Sequence, residues 1–126
     1  PLAGPWAEAF AAYLAGQPFP PDLPVALPAL SPFAQRVLAA CRAIPFGETR
    51  TYAQLAVAVG APGAARAVGR VLAGNPVPLV IPCHRVVGAG GRLTGFLGGL
   101  GWKRALLVHE GGIIAADRAA GGEEEP

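Results

Sequence analysis

The chain has no methionine, one lysine and two cysteines, and only 14% of its 126 residues are charged. Each scarcity removes a class of protein. Cys41 and Cys83 are too few for a disulfide scaffold. A structural zinc needs about four ligands at tight spacing, whereas two cysteines and two histidines (His84, His109) are scattered here. No metal and no cofactor are therefore expected. No apolar run approaches the length that spans a bilayer, and no signal-peptide pattern opens the chain, so no membrane partner is expected. The chain opens on Pro1, which reads as a processed or excised piece. What it has in quantity is apolar surface: 52% hydrophobic residues, enough for one packed domain.

Charge is scarce but segregated. Residues 31–114 carry nine basic side chains against Glu48 and Glu110, a net charge of +7, while both flanks are acidic. A basic body with acidic ends suits an anionic partner, nucleic acid being the commonest, although ordinary solvation accounts for such a pattern equally well.

Helical periodicity recurs along the chain. Residues 5–15 read as an amphipathic helix with Trp6, Phe10 and Tyr13 or Leu14 on one side, followed by a connector with six prolines between 18 and 32. Ser31-Pro32 marks a helix start, and Phe33, Val37, Leu38 and Cys41 follow at helical spacing, so Cys41 reads as inert core. Thr51 caps a helix that Gly60 stops, and Pro62 starts another that runs to Gly74. Two short helices around a glycine-containing turn have the form of a helix-turn-helix. In the second, Ala64, Ala65, Val68, Val71 and Leu72 form the inward stripe. Arg66 and Arg70 share the other face at i and i+4, with no acid nearby in the helix to pair them. Leu79 to Val87 reads as extended, residues 88–101 as a loop with seven glycines, and Trp102, Ala105, Leu106 and His109 mark a last helix.

Within that frame, "IPCHRVV" at 81–87 places a cysteine between a proline and two nitrogen bases. On an extended backbone Cys83 and His84 point to opposite faces, so contact between them needs a bend or a bridging water. Glu110 ends a helix, where the dipole disfavours an acid, and a residue that breaks its local rule is a candidate for function. A carboxylate aimed at an imidazole that deprotonates a thiol is the logic of an activated nucleophile. On chemistry alone the nucleophile and a buried filler remain evenly matched.

"GNPVPLVIPCHRVVGAGGRLTGF" followed by "LLVHEGG", together with "IPFGETRTYAQLA" and "AARAVGRVLAGNPVP", closely resembles the 6-O-alkylguanine-DNA alkyltransferases over roughly residues 32–112. The resemblance implies a mostly α fold: a winged helix-turn-helix-like DNA-binding domain with short strands around the active-site turn, plus a remnant of an N-terminal α/β domain. It implies three segments: 1–30, N-terminal remnant and Pro-rich connector; 31–114, catalytic helix-turn-helix domain; 115–126, disordered acidic tail. The implied activity is single-turnover transfer of an alkyl group from the O6 of guanine, with the O4 of thymine as a second candidate, to Cys83. The partner is double-stranded DNA carrying alkylated guanine, met in the minor groove without sequence preference by a monomer. The implied location is cytoplasmic and nucleoid-associated, or nuclear in a eukaryote.

Carried over by position, Cys83 is the alkyl acceptor, His84 the base that works through a water, Glu110 the carboxylate that orients it, and Asn75 the brace of the active-site turn. Tyr52 lies near the target phosphate and protonates the departing guanine, and Arg66 fills the gap left by the flipped nucleotide. Arg70, Ala65 and Arg85 join Tyr52 and Arg66 as DNA-facing residues, while Val86, Phe96, Leu97 and Gly98 line the substrate pocket. Phe96 replaces a usual tyrosine, Leu97 a smaller residue (which favours methyl over large groups) and Leu38 a common tryptophan. Three other readings compete. Alkyltransferase-like damage binders lack the acceptor cysteine, a winged-helix redox regulator would use Cys83 as a reversible sensor, and a cysteine hydrolase would need an oxyanion-hole motif.

Overall fold

The structure, a computed structural model, describes residues 4–93 and 100–111. Phe96, Leu97, Gly98 and the acidic tail lie outside the described residues. Among the described residues the chain forms five α-helices and two short strands: α1 (Gly4–Leu14), α2 (Pro32–Arg42), β1 (Arg50–Thr51), α3 (Tyr52–Ala58), α4 (Ala65–Ala73), β2 (Val86–Val87) and α5 (Leu100–His109).

Local chemistry explains the starts of α2 and α3. The Ser31 hydroxyl accepts from the Ala34 N–H at 3.1 Å, with Pro32 in the first turn. At α3 the cap is reciprocal: Thr51 Oγ1 accepts from the Gln54 N–H at 3.0 Å, and Gln54 Oε1 accepts from the Thr51 N–H at 2.8 Å. Ala34, Val37, Leu38 and Cys41 then bury one face of α2, and Leu55 and Ala56 bury one face of α3. Helix α4 begins at Ala65, three residues after the expected Pro62. Pro62-Gly63 forms a turn instead, with Gly63 at φ +89° and the Ala64 N–H bonded to the Ala61 carbonyl, so the chain cannot enter the helix earlier. Val68 and Leu72 of α4 are buried, whereas Ala64, Ala65 and Val71 are half-buried.

These three helices and the segment 81–86 enclose the main core: Val37, Leu38, Cys41, Ile44, Leu55, Ala56, Val68, Leu72, Ile81, Cys83 and Val86. Burying each larger aliphatic side chain contributes roughly 1.5–3 kcal/mol. Leu38 thus fills core space as expected of a large residue there.

Segment 79–87 departs from the extended reading. Pro82 holds φ at −82°, the Arg85 N–H bonds the Pro82 carbonyl at 2.8 Å, and Cys83–Arg85 form one tight 3₁₀ turn. Only then does the chain straighten into β2, which pairs in parallel with β1 (Arg50 opposite Val86, Thr51 opposite Val87). The pairing sets the turn beside the first residue of α3, Tyr52.

The last helix exists, but its inward stripe is Lys103, Leu107 and, one residue past its end, Glu110. Trp102 is 64% exposed and Ala105 is also exposed, so only the helix itself matches expectation. Helix α1 buries Ala9 and Tyr13 and leaves Leu14 in solvent. The connector folds back so that Phe19 stacks on Tyr13, ring centroids 4.7 Å apart. Among the described residues no helix is long and apolar enough to cross a membrane.

Because the reciprocal cap fixes the first turn of α3, and with it Tyr52, Thr51→Ala should destabilise the protein by about 1 kcal/mol. Urea unfolding measures this directly. Gln54→Ala in the Thr51→Ala background should add much less than it does alone, since the two side chains form one motif.

Candidate active site and nucleic-acid interface

The site is built around a carboxylate. Glu110 sits just past α5, where its N–H still bonds the Leu106 carbonyl, and Gly111 follows at φ +78° with its N–H bonded to the Val108 carbonyl. Its side chain has no solvent exposure. Oε2 accepts from His84 Nε2 at 2.7 Å, from the Tyr13 hydroxyl at 2.6 Å and from Arg85 Nη2 at 3.0 Å, while Oε1 accepts from Arg85 Nε at 2.7 Å. Arg85 Nη1 donates to the Ile44 carbonyl at 2.7 Å, and its guanidinium lies over the Phe46 ring. Gly47, after Phe46, is at φ +86°, and a Cβ there would lie 3.2 Å from the Glu110 carbonyl. Glycine is needed at that position on both counts.

Burial alone would raise the Glu110 pKa, but the hydrogen bonds from His84, Arg85 and Tyr13 outweigh it and pull it down to about 2. Glu110 is therefore an anion, and the proton in the His84 contact belongs to Nε2. Burial pushes the His84 pKa below its usual 6.5 against the pull of Glu110, leaving a neutral ring. Its other nitrogen, Nδ1, is buried with no hydrogen-bond partner among the described residues. An unpaired buried acceptor is rare enough to call for an explanation, and a proton-accepting role supplies one.

Cys83 opens the turn that carries His84 and is 7% exposed. Burial raises its pKa, while a hydrogen bond from the Asn75 side chain and the charge of Lys103 act the other way. The net result is a protonated thiol at rest, which needs a base to become a nucleophile. Asn75 also holds the loop before it: Nδ2 donates to the Ile81 carbonyl at 2.8 Å, and Oδ1 accepts from the Val77 N–H at 2.9 Å. Within this loop Leu79 adopts φ +80°, a strained conformation for a branched side chain. Lys103 is fully buried, its ammonium 5.9 Å from the centre of the Tyr52 ring, and burial lowers its pKa to about 8. Burial also raises the Cys41 pKa, consistent with inert core.

Tyr52, Ala65, Arg66 and Gly69 line an open hollow of about 290 Å³ between α3 and α4. Arg66 and Arg70 are both exposed, as their spacing required. His84 thus meets Glu110 and Asn75 meets Cys83, while Tyr52 packs against the core cluster that contains Cys83 and also lines the hollow with Arg66. Two expectations need correction. Arg85 cannot face DNA, because it is 6% exposed and its guanidinium is committed to Glu110 and Ile44. Val86 is fully buried in the main core rather than standing in an open pocket wall.

Sequence reasoning missed three contributors: Arg85 as ion-pair partner, Lys103 and Tyr13. Lys103 carried a signal, since positions 103, 107 and 110 fall on one helical face with Leu107 between two charges. A chain with two acids in residues 31–114 also offered Glu110 few ways to be buried except beside a cation.

The class the structure defines is a helical domain with a buried cysteine next to a buried His84–Glu110 pair and two exposed arginines on α4. Residues 32–112 match the family model for the DNA-binding domain of 6-O-methylguanine DNA methyltransferase, and the chain belongs to that family. It is 54% identical over 85 residues to the methylated-DNA–protein-cysteine methyltransferase of Mycobacterium tuberculosis, a match covering 68% of this chain and 52% of that protein. The chain thus spans about half the length of that relative. Among solved structures, Mycobacterium tuberculosis OGT in complex with DNA superposes with a TM-score of 0.76 at 46% identity, covering 85% of this chain and 66% of that one. The Schizosaccharomyces pombe Atl1 complex with DNA containing O6-carboxymethylguanine superposes with a TM-score of 0.57 at 31% identity, covering 67% and 80% respectively.

The depressed Glu110 pKa has a consequence for stability. The folded value, about 2, lies below the ordinary 4.5, so its contribution is complete above pH 4.5 and is lost as pH falls towards 2. A shift of this size corresponds to roughly 3 kcal/mol. Wild-type unfolding free energy should fall through that window, and Glu110→Gln should flatten the fall. At neutral pH the variant should be less stable by about 3–5 kcal/mol, because Arg85 is left buried without its counter-ion. Denaturant titrations at several pH values measure both effects.

Proposed function

We propose that this chain repairs DNA by moving a methyl group, or a small alkyl group, from the O6 of guanine to the sulfur of Cys83, once per molecule. The observation that carries this reading is the buried thiol whose neighbour, His84, is fixed by Glu110 at 2.7 Å and keeps an Nδ1 with no hydrogen-bond partner among the described residues. Membership of the 6-O-methylguanine DNA methyltransferase family supports it. In the proposed reaction His84 Nδ1 receives the thiol proton through a water, and Glu110 stabilises the imidazolium. The sulfur attacks the saturated alkyl carbon, the C–O6 bond breaks, and its electron pair passes into the guanine ring, which takes a proton from the Tyr52 hydroxyl. No oxyanion forms at carbon, so no oxyanion hole is required. A thioether does not hydrolyse readily, so the protein is spent after one event.

A base inside a duplex is out of reach of a thiol at 7% exposure, which makes flipping necessary at a cost of a few kcal/mol. We assign Arg66, exposed beside Tyr52, to the gap left in the stack, and Arg70 to a phosphate. The finer expectations belong to the same proposal: a winged helix-turn-helix entering the minor groove of duplex DNA without sequence preference, a monomeric state, a cytoplasmic and nucleoid-associated location, and a catalytic unit over 31–114 after an N-terminal remnant. Pocket selectivity set by Phe96, Leu97 and Gly98 is also part of it.

Intact-protein mass spectrometry after mixing with a duplex oligonucleotide carrying O6-methylguanine should show one added methyl, mapped to Cys83, with Cys41 unmodified. Methyl on Cys41, or continued turnover, would contradict the proposal. Arg66→Ala should slow repair of duplex DNA at least ten-fold more than reaction with free O6-methylguanine, since only the duplex demands flipping. Arg70→Ala should instead weaken binding and reduce its salt dependence by about one phosphate contact.

A further inference from the structure

Tyr13 lies on α1, outside the segment 32–112 that matches the family model, yet it reaches the centre of the site. Its hydroxyl donates to Glu110 Oε2 at 2.6 Å across 97 residues of sequence. The ring is held on several sides: Phe19 stacks at 4.7 Å, Phe46 meets it edge-on at 6.0 Å, and the His109 ring lies at 5.0 Å. His109 Nε2 also donates to the Tyr13 carbonyl at 2.7 Å, which ties α1 to the end of α5. The residue is 2% exposed. Packing alone explains the ring. It does not explain a hydroxyl directed at the same oxygen that His84 uses.

We infer that Tyr13 is a positioning residue for the proposed transfer, its hydroxyl sharing Glu110 Oε2 with His84 and so setting how strongly that carboxylate supports the imidazole. The inference rests on the transfer reading for its catalytic meaning, but the coupling itself can be measured apart from transfer. One oxygen that accepts from Tyr13, His84 and Arg85 divides its charge among three donors. An O–H···O⁻ bond of this length is among the stronger kinds. Without the hydroxyl, more of that charge falls to His84 and the imidazolium is favoured. The other groups that act here stay in place in the variant: Arg85 on Glu110, and Glu110, Arg85 and Lys103 on His84, with His109 against the Tyr13 ring. The sign of the effect is therefore fixed: losing the hydroxyl raises the pH at which His84 becomes neutral.

Tyr13→Phe in the full chain tests this with two readouts. The His84 titration midpoint, followed by ¹⁵N NMR, should rise by about one unit, the scale of one redistributed charge-assisted hydrogen bond. The single-turnover methylation rate on an O6-methylguanine duplex should fall several-fold at mildly acidic pH and much less above neutrality. Phe19→Leu, which loosens the ring without removing a donor, should move both readouts the same way by less, and decides the matter if Tyr13→Phe fails to fold. An unmoved midpoint, or a rate lowered equally at every pH, would reduce Tyr13 to a packing residue and overturn the inference. Failure of the wild-type protein to methylate at all would instead overturn the transfer reading, while the His84 midpoint would still report the coupling.

Discussion

A carboxylate with no exposed surface has to find its counter-charges inside the protein, and Glu110 finds them in the Arg85 guanidinium, the His84 ring and the Tyr13 hydroxyl. Removing two opposite charges from water costs several kcal/mol per ion, which is offset only when the geometry is good and every remaining donor is satisfied. Here Nε and Nη2 of Arg85 engage the two oxygens of Glu110, and Nη1 reaches the Ile44 carbonyl. The pair therefore binds four parts of the chain: the turn at 83–85, the end of α5, the segment after α2, and, through Tyr13, α1. Such an arrangement is expensive as mere scaffolding. Its form follows from what His84 requires.

A buried histidine without a carboxylate would be neutral and indifferent to which nitrogen carried its proton. Glu110 fixes that choice at Nε2 and leaves Nδ1 as a lone pair. The thiol of Cys83, raised in pKa by burial, is protonated at rest. Base and thiol are thus complementary: neither is charged at rest, and in the proposed transfer a proton moves only when an alkylated base arrives to draw on the sulfur. The Asn75 hydrogen bond and the charge of Lys103 favour the thiolate of Cys83 against its burial.

Much of the scaffold was legible because its signals are local. Ser31-Pro32 and Thr51 each mark a helix start locally, and Val37 and Cys41 mark the buried face of α2 unaided. The start of α4 was misjudged because proline suits both a first helical turn and a β-turn, and Gly63 decided for the latter. Segment 83–85 read as extended because its turn arises from hydrogen bonds set by Pro82, not from any periodicity. Within the site, Glu110 stood out as an acid at the wrong end of a helix, and the resemblance named its partner His84. Arg85 was misread because a basic side chain in sequence carries no mark of burial, and its counter-ion lies 25 residues away. Tyr13 was invisible as a site residue for the same reason at a separation of 97 residues.

The account depends most on the protonation pattern of one ring, and ¹⁵N NMR of His84 in the unreacted protein at neutral pH reads it directly. The two imidazole nitrogens should differ strongly, Nε2 appearing as the protonated nitrogen bonded to Glu110 and Nδ1 as a bare acceptor. Protonation at Nδ1, or an imidazolium with both nitrogens protonated, would contradict the relay from Glu110 through His84 to Cys83.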